Sequence, residues 1–398
     1  MSRDNKLITI ALFLWGAGEG LFFYIEPLYM EQLGATPAEV GAVLALAAFL
    51  TACSFIPGGW LADRFNTKPV MLGGWLLGGL SSLWMGLASN WQAFVPAILV
   101  YNISAYCIPA INSYITEASG DAPLEHTITL TFAGYAAGSI LAPFVGGRLA
   151  ETIGTPPLFI IGSVLFFISL LVASRVKRHT HLHPASQRSW PQQLRSLQPY
   201  LPFFARMIFV FFTLMIGSTL VANYLGDSGW SLGDVNTLGG TAQAIGMMVL
   251  AIGLGWIAAG RRRRGLLLGQ GLVFISMVLF LLAVPVLRFA TVIAYFLLGG
   301  TSPVRELSNA QIANQVTREV RGLALGVNET IFALARAGAA ALAGALYTVD
   351  ARGPFIASIA LIPIGLWLVA RSQPLPVREE EIVVMASPGT VMIESVED

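Results

Sequence analysis

The chain has 398 residues, 55% of them apolar and only 11% charged, with a net charge of +1 and a mean hydropathy of +0.70. A soluble domain carries about 25% charged residues to cover its surface, so a chain this poor in charge must turn much of its outside to lipid. The near-zero net charge gives no footing for a nucleic-acid partner, and two cysteines exclude a disulfide framework.

Crossing a hydrocarbon core of roughly 30 Å takes about 20 mostly apolar residues. Read in chain order, such runs occur at 7–30, 40–61, 69–88, 91–115, 127–150 and 158–174. After an interruption they resume at 201–225, 235–259, 266–286, 289–312, 323–347 and 354–370. The first run is about 24 residues long and holds Glu19 and Glu26, which argues against a cleavable signal peptide. Cys53 and Cys107 fall within runs and read as small buried hydrophobes. The interruption at 175–199 carries Arg175, Lys177, Arg178, Arg188 and Arg195, and reads as a linker between halves of six spans each. His179, His181 and His183 lie within it, apart from His126; a solvated loop explains them better than a metal site. No cofactor is expected. The tail at 372–398 is acidic and reads as disordered, with a hairpin around Ser387-Pro388-Gly389 as the alternative.

Lys and Arg set the orientation. With the N-terminus inside, Arg3, Lys6, Arg64, Lys68, the linker set, Arg261 to Arg264, Arg318, Arg321, Arg371 and Arg378 are cytoplasmic, against Arg148, Arg288 and Arg352 outside. That excess marks the inner face and puts both termini in the cytoplasm of a plasma (inner) membrane. The halves also echo each other: Gly59 and Gly255 close the second and eighth spans 196 residues apart, and Pro109 and Pro303 lie 194 apart in the fourth and tenth. Near-constant offsets predict a parallel duplication.

The stretch Gly59-Trp60-Leu61-Ala62-Asp63-Arg64-Phe65-Asn66-Thr67-Lys68 resembles the loop between the second and third spans of major facilitator superfamily transporters, Gly-x-x-x-Asp-Arg-x-Gly-Arg-Lys/Arg. Asn66 replaces the second glycine and Thr67 the arginine; Asn tolerates a left-handed turn. The fifth span, with Gly138, Ala142, Pro143, Gly146 and Gly147, is similar to the Gly-Pro motif of antiporter-type members, though Ala142 stands where a glycine would. The arginine of the fourth span in proton antiporters is absent, and Asn102 lies nearby. The resemblance implies an all-α membrane protein of twelve helices in two pseudo-symmetric six-helix bundles, 1–174 and 200–371. Spans one, four, seven and ten would line a central cavity, and the loop residues Gly59, Asp63, Arg64 and Lys68 would act as a gate latch or simply fix topology.

Charge inside a membrane costs about 2.5–3.5 kcal/mol per residue on insertion scales, so it turns towards a cavity or a partner. Glu19, Glu26, Arg206, Arg305, Glu306, Glu329 and Arg336 all lie in spans, whereas spans three, six, nine and twelve hold no Asp, Glu, Lys or Arg. At 1.5 Å per residue, Glu19 sits near the midplane, as do Arg305 and Arg336; Arg206 and Glu329 lie nearer the cytoplasmic ends and could snorkel. Desolvation favours the neutral form of a carboxyl group, which makes Glu19, then Glu306 and Glu26, candidates for proton coupling. The alternative is a permanent ion pair between Glu19 or Glu306 and Arg305 or Arg336. Arg305 and Glu306 are about 100° apart on a helix and cannot both face the cavity. Asn102, Tyr106, Asn112 and Gln243 are neutral candidates for substrate contact, or else interhelical hydrogen bonds.

The chain therefore reads as a secondary transporter that exports a small organic molecule or drug in exchange for protons by alternating access. The alternatives are uptake of a sugar, organic anion or lipid-like solute, and a transporter-shaped sensor without flux. The expected partners are a small-molecule substrate, protons and membrane lipids, with the chain acting as a monomer. No nucleophile or metal set shares a depth, so an enzyme is not expected.

Overall fold

In the computed structural model, which describes residues 1–119, 124–178, 195–257, 262–283, 288–316 and 320–372, every regular element is a helix. The tail from residue 373, most of the linker and the His179–His183 group lie outside the described residues. Long apolar runs without room for turns leave the helix as the way to satisfy backbone groups in lipid. Nine stretches of the described residues are long and apolar enough to cross a membrane.

Four helices run unbroken through predicted spans three, six, nine and twelve: α4 (Thr67–Leu87), α8 (Pro156–Ser174), α13 (Arg262–Ala283) and α17 (Gly353–Ala370). Spans one, four, seven and ten are each interrupted. They appear as α1 (Arg3–Gly20) with α2 (Glu26–Gln32), α5 (Trp91–Ile103) with α6 (Ile108–Ser119), α9 (Leu201–Ile216) with α10 (Val221–Asp227), and α14 (Arg288–Leu298) with α15 (Thr301–Ala313). The remaining spans are α3 (Pro37–Phe65), α7 (Leu124–Ile153), a short α11 (Leu232–Asp234) running through a π-turn at Val235–Gly240 into α12 (Thr241–Ile257), and α16 (Arg321–Val349).

The interruptions have local causes. Pro27, Pro109 and Pro303 enter the second helix of three of the broken spans, where a missing N–H is harmless. In the fourth, the Gly217 N–H donates to Ser358 Oγ at 2.8 Å, and that hydroxyl donates to the Thr213 carbonyl at 2.8 Å. Irregular backbone at membrane depth survives where side chains satisfy it in this way. Matched breaks ahead of Pro109 and Pro303 agree with the repeat read from the sequence.

Two seams join the halves: α3 packs along α16, and α7 packs against the α11–α12 segment. Both are tight at the end of the molecule away from Arg3, Lys68 and Arg175. There a Cβ on Gly41 would meet the Gly344 Cα at 2.6 Å, and one on Gly147 would meet the Gly233 carbonyl at 2.5 Å. At the opposite, basic end Gly59 of α3, Gly253 of α12 and Gly326 of α16 have nothing within 4 Å of an added Cβ. A separate buried cluster there, including Ile8, Met71, Trp75, Tyr114 and Val176, draws only on residues before 177 among those described. The seams are therefore closed at one end, while the described glycines at the basic end stand in open space.

The outside is apolar: Phe289, Leu282 and Leu171 are each more than 60% exposed. Such a coat suits lipid and would aggregate in water. Cys107 is buried as expected, but Cys53 is exposed, a correction to the reading of both as interior packing. Asn66 has φ +80°, the left-handed turn expected where the loop motif has glycine, and its side chain accepts from the Lys68 N–H at 3.2 Å.

Candidate functional site

Glu19 reaches its partner because α1 and α7 touch backbone to backbone. A Cβ on Gly16 would lie 2.2 Å from the Tyr135 carbonyl, and one on Gly138 would lie 2.2 Å from the Phe13 carbonyl. Small residues allow this approach in lipid, where dispersion and hydrogen bonds replace the hydrophobic effect between helices. It delivers the Tyr135 hydroxyl to Glu19 Oε2 at 2.7 Å. Trp15 and Tyr101 lie beside the same carboxylate, with the buried Tyr101 hydroxyl turned towards it. Trp15 stacks on Phe166 with ring centroids 4.1 Å apart, which fixes one wall of the site.

Arg336, midway along α16, supplies the facing charge. It lies within electrostatic reach of both Glu19 and Glu26 but forms no ion pair within 4 Å among the described residues. Glu26 is only 7% exposed and stands at the start of α2. The helix is broken at residues 21–25, between Glu19 and Glu26, and the two carboxylates remain within electrostatic reach of each other.

Arg305 is engaged elsewhere. Its Nε donates to both carboxylate oxygens of Glu329 at 3.0 and 3.2 Å, its Nη2 adds a third bond, and its guanidinium stacks 4.8 Å over Phe332. Asn309 Nδ2 donates to Glu329 at 2.7 Å, and Asn328 Nδ2 donates to Asn309 Oδ1 at 2.7 Å and to Ser308 Oγ at 2.8 Å. Glu329 thus does not snorkel, a second correction: its carboxylate has a bidentate cation to hold. Glu306 is exposed while Arg305 is turned to α16, the divergence that adjacent helix positions require.

The neutral candidates divide. Thr51 Oγ1 donates to Asn102 Oδ1 at 3.1 Å and Asn102 Nδ2 donates to the Ile98 carbonyl, so Asn102 fastens α5 to α3. The Tyr106 hydroxyl points at Gly73 of α4, away from the glutamates. Asn112 is exposed on α6, and Gln243 is half-buried on α12 and makes no side-chain hydrogen bond among the described residues. Of the loop set, Gly59 is free of contacts. Lys68 Nζ donates to the carbonyls of Ser174 and Val176 at 2.8 and 2.6 Å, capping the end of α8. The side chains of Asp63 and Arg64 lie outside the described residues. Gly146, Gly147 and Pro143 of the fifth-span motif meet Asn236, Thr237 and Gly240 across the closed seam.

Sequence reasoning missed Tyr135 and undervalued Glu329. Tyr135 was detectable as the one hydroxyl-bearing aromatic in a Gly/Ala-rich stretch of the fifth span; the Glu329 pairing left no sequence signal beyond a glutamate and an arginine in neighbouring spans. The arrangement as a whole places a proton-accepting group, a cation and aromatic surface where the halves meet.

Comparison with known proteins bears on what such a site serves. The family model described as Major Facilitator Superfamily matches residues 8–304 and again 203–388. "Multidrug resistance protein MdtG" of Salmonella paratyphi A is 30% identical over 192 residues, 47% of each chain, and that of Enterobacter lignolyticus is 32% identical over 176 residues, 42% of each. The match thus spans about half the length of these curated relatives. Among solved structures, the nucleoside transporter NupG superposes with a TM-score of 0.75 at 14% identity, covering 92% of this chain and 98% of that one. A bacterial homologue of the lysosomal transporter Spinster, in an inward-facing and occupied conformation, gives 0.71 at 15% identity over 92% and 95%.

Proposed function

The chain belongs to the major facilitator superfamily, a multi-pass membrane transporter of small molecules and not an enzyme, and on that premise we propose that it exports a small organic molecule in exchange for protons. The observation that carries this reading is the Glu19 carboxylate, held by Tyr135 within the membrane and facing Arg336, which forms no ion pair among the described residues. Such a carboxylate can take up a proton when the cavity opens to one side and lose it, or yield its place near the cation, when substrate enters. Glu26 shares the same cation and is the second candidate; Glu306, exposed and off this cluster, ranks below it. Arg336 is the cation offered to substrate, because Arg305 is bound to Glu329.

In this reading 1–174 and 200–371 are the rocking units, 175–199 joins them, and the basic end is cytoplasmic in a plasma membrane. The open space beside Gly59 and Gly326 at that end supports an inward-open conformation, with the fifth-span glycines sealing the outside. The multidrug names of the half-length relatives support export; the nucleoside and peptide transporters among the fold neighbours keep uptake as the second reading.

The test is a compound-library screen in proteoliposomes with an imposed pH gradient, comparing the native chain with Glu19→Gln. Loss of gradient-driven accumulation with counterflow retained supports coupling at Glu19. Accumulation that survives the substitution unchanged overturns it.

A further inference from the structure

Glu329, Phe332 and Arg336 follow one another at i, i+3 and i+7 on α16, a spacing that puts them on one face of the helix. Arg305 reaches over from α15 and lies along that face, against Glu329 and Phe332. Two arginines therefore share a stripe, close enough to repel, and Arg305 is also within electrostatic reach of Tyr135, the residue that holds Glu19. Only one of the two is neutralised. Glu329 binds Arg305 through both carboxylate oxygens and is itself held by Asn309, which Asn328 braces in turn. Arg336 has no such partner among the described residues.

The pair is part-exposed, and an ion pair open to its surroundings is a weak source of stability. Three polar side chains linked in series to one arginine therefore call for another reason. We propose that Glu329 is a positioning residue: it restrains Arg305 so that Arg336 is the cation Glu19 and Glu26 answer to. This rests on the reading of Glu19 as the proton carrier. Without Glu329, Arg305 would be an unpaired cation within electrostatic reach of Glu306, its neighbour on α15, and of Tyr135, which holds Glu19. Turned towards Tyr135, that cation would give Glu19 a permanent counter-ion in place of a tunable neighbour and take its proton exchange out of the working range.

The groups near Glu19 are Tyr135 of α7, Tyr101 of α5, Trp15 of α1, Tyr24 in the break after α1, Glu26 of α2 and Arg336 of α16, with Arg305 of α15 beyond Tyr135 and Glu306 beside it. Trp15 provides a reporter that needs no substrate. The experiment is a pH titration of Trp15 emission in the purified full chain, taken as the difference from a Trp15→Phe background. Glu19→Gln should abolish the transition; if it does not, the coupling reading fails, independently of Glu329. Given that transition, Glu329→Gln should move its midpoint towards acid by about one pH unit or more, the effect of an opposite charge brought within a few ångströms. Replacing both residues, Arg305→Gln with Glu329→Gln, should return the midpoint to its native position. A merely structural role for the pair would lower thermal stability in both variants and leave the midpoint in place. An unmoved midpoint, or equal shifts in single and double variants, overturns the proposal. Should Glu329→Gln fail to fold, Asn309→Leu removes one brace of the same carboxylate and should shift the midpoint the same way by a smaller amount, with no shift counting against it.

Discussion

The two ends of the α3–α16 and α7–α12 seams are built from the same residue types yet behave oppositely. Glycines occupy both ends of these helices. At the closed end Gly41 faces Gly344, and Gly146 and Gly147 press on the start of the eighth span; at the basic end Gly59, Gly253 and Gly326 face open space. The closed end also carries polar clasps that the open end lacks among the described residues. Asn236 Nδ2 donates at 2.8 Å to the Leu21 carbonyl, in the break between α1 and α2, and Asn223 Nδ2 donates at 3.1 Å to the Pro27 carbonyl, in the first turn of α2. Small residues thus permit closure, and amides aimed at backbone carbonyls hold it. A glycine at the open end is spare in this conformation and is free to serve as a contact in the other.

The sharpest way to break this contrast is steric. Gly41→Leu places a side chain where the Gly344 Cα and the Ala340 carbonyl already stand within 3 Å of a Cβ. Overpacking costs about 1–3 kcal/mol, enough to shift the balance between conformations roughly tenfold or more. Spin labels at Gly34 and Asp350, on the closed end, should report a longer and broader distance; an unchanged distribution would mean the seam yields locally instead of opening.

Removing a clasp should act in the same direction with less force. Asn236→Ala leaves the Leu21 carbonyl without its side-chain donor, at about 1–3 kcal/mol for an unmet buried group. Asn223→Ala, at a longer bond, should cost about 1 kcal/mol. Both are read on the same label pair, and additivity is expected because they belong to separate contacts. A drop in thermal stability with no change in the label distances would assign these amides to folding alone.

At the open end the expected effect is smallest and opposite in sign. Gly326→Ala adds a methyl group to an uncrowded helix position, so it should stabilise the present conformation by up to about 1 kcal/mol through helix propensity. Thermal unfolding measures this directly. A loss of transport despite raised stability would show that Gly326 becomes a close contact in the alternate state.

How far the sequence reaches can be judged residue by residue. It determined the solvent, because charge is too scarce to cover the surface with anything but lipid-facing apolar side chains. It marked spans three, six, nine and twelve as free of ionisable residues, and the helices there, α4, α8, α13 and α17, run unbroken where spans one, four, seven and ten do not. It singled out Glu19, Glu26 and Arg336 as embedded charges, and Asn66 as a left-handed turn. What it left undecided was pairing. Composition and periodicity assign a residue to a face and a depth, but hydrogen bonds form between faces of helices distant in sequence, and their geometry is set by how closely the backbones approach. Only the tertiary structure decided that Glu329 takes Arg305, that Asn102 is spent on Thr51, and that Tyr135 stands at Glu19 because Gly16 and Gly138 let α1 and α7 touch. The physical reason is one of range: hydropathy is a local, additive property that can be summed along a chain, whereas an ion pair or a buried amide bond exists only when two distant segments arrive within about 3 Å of each other.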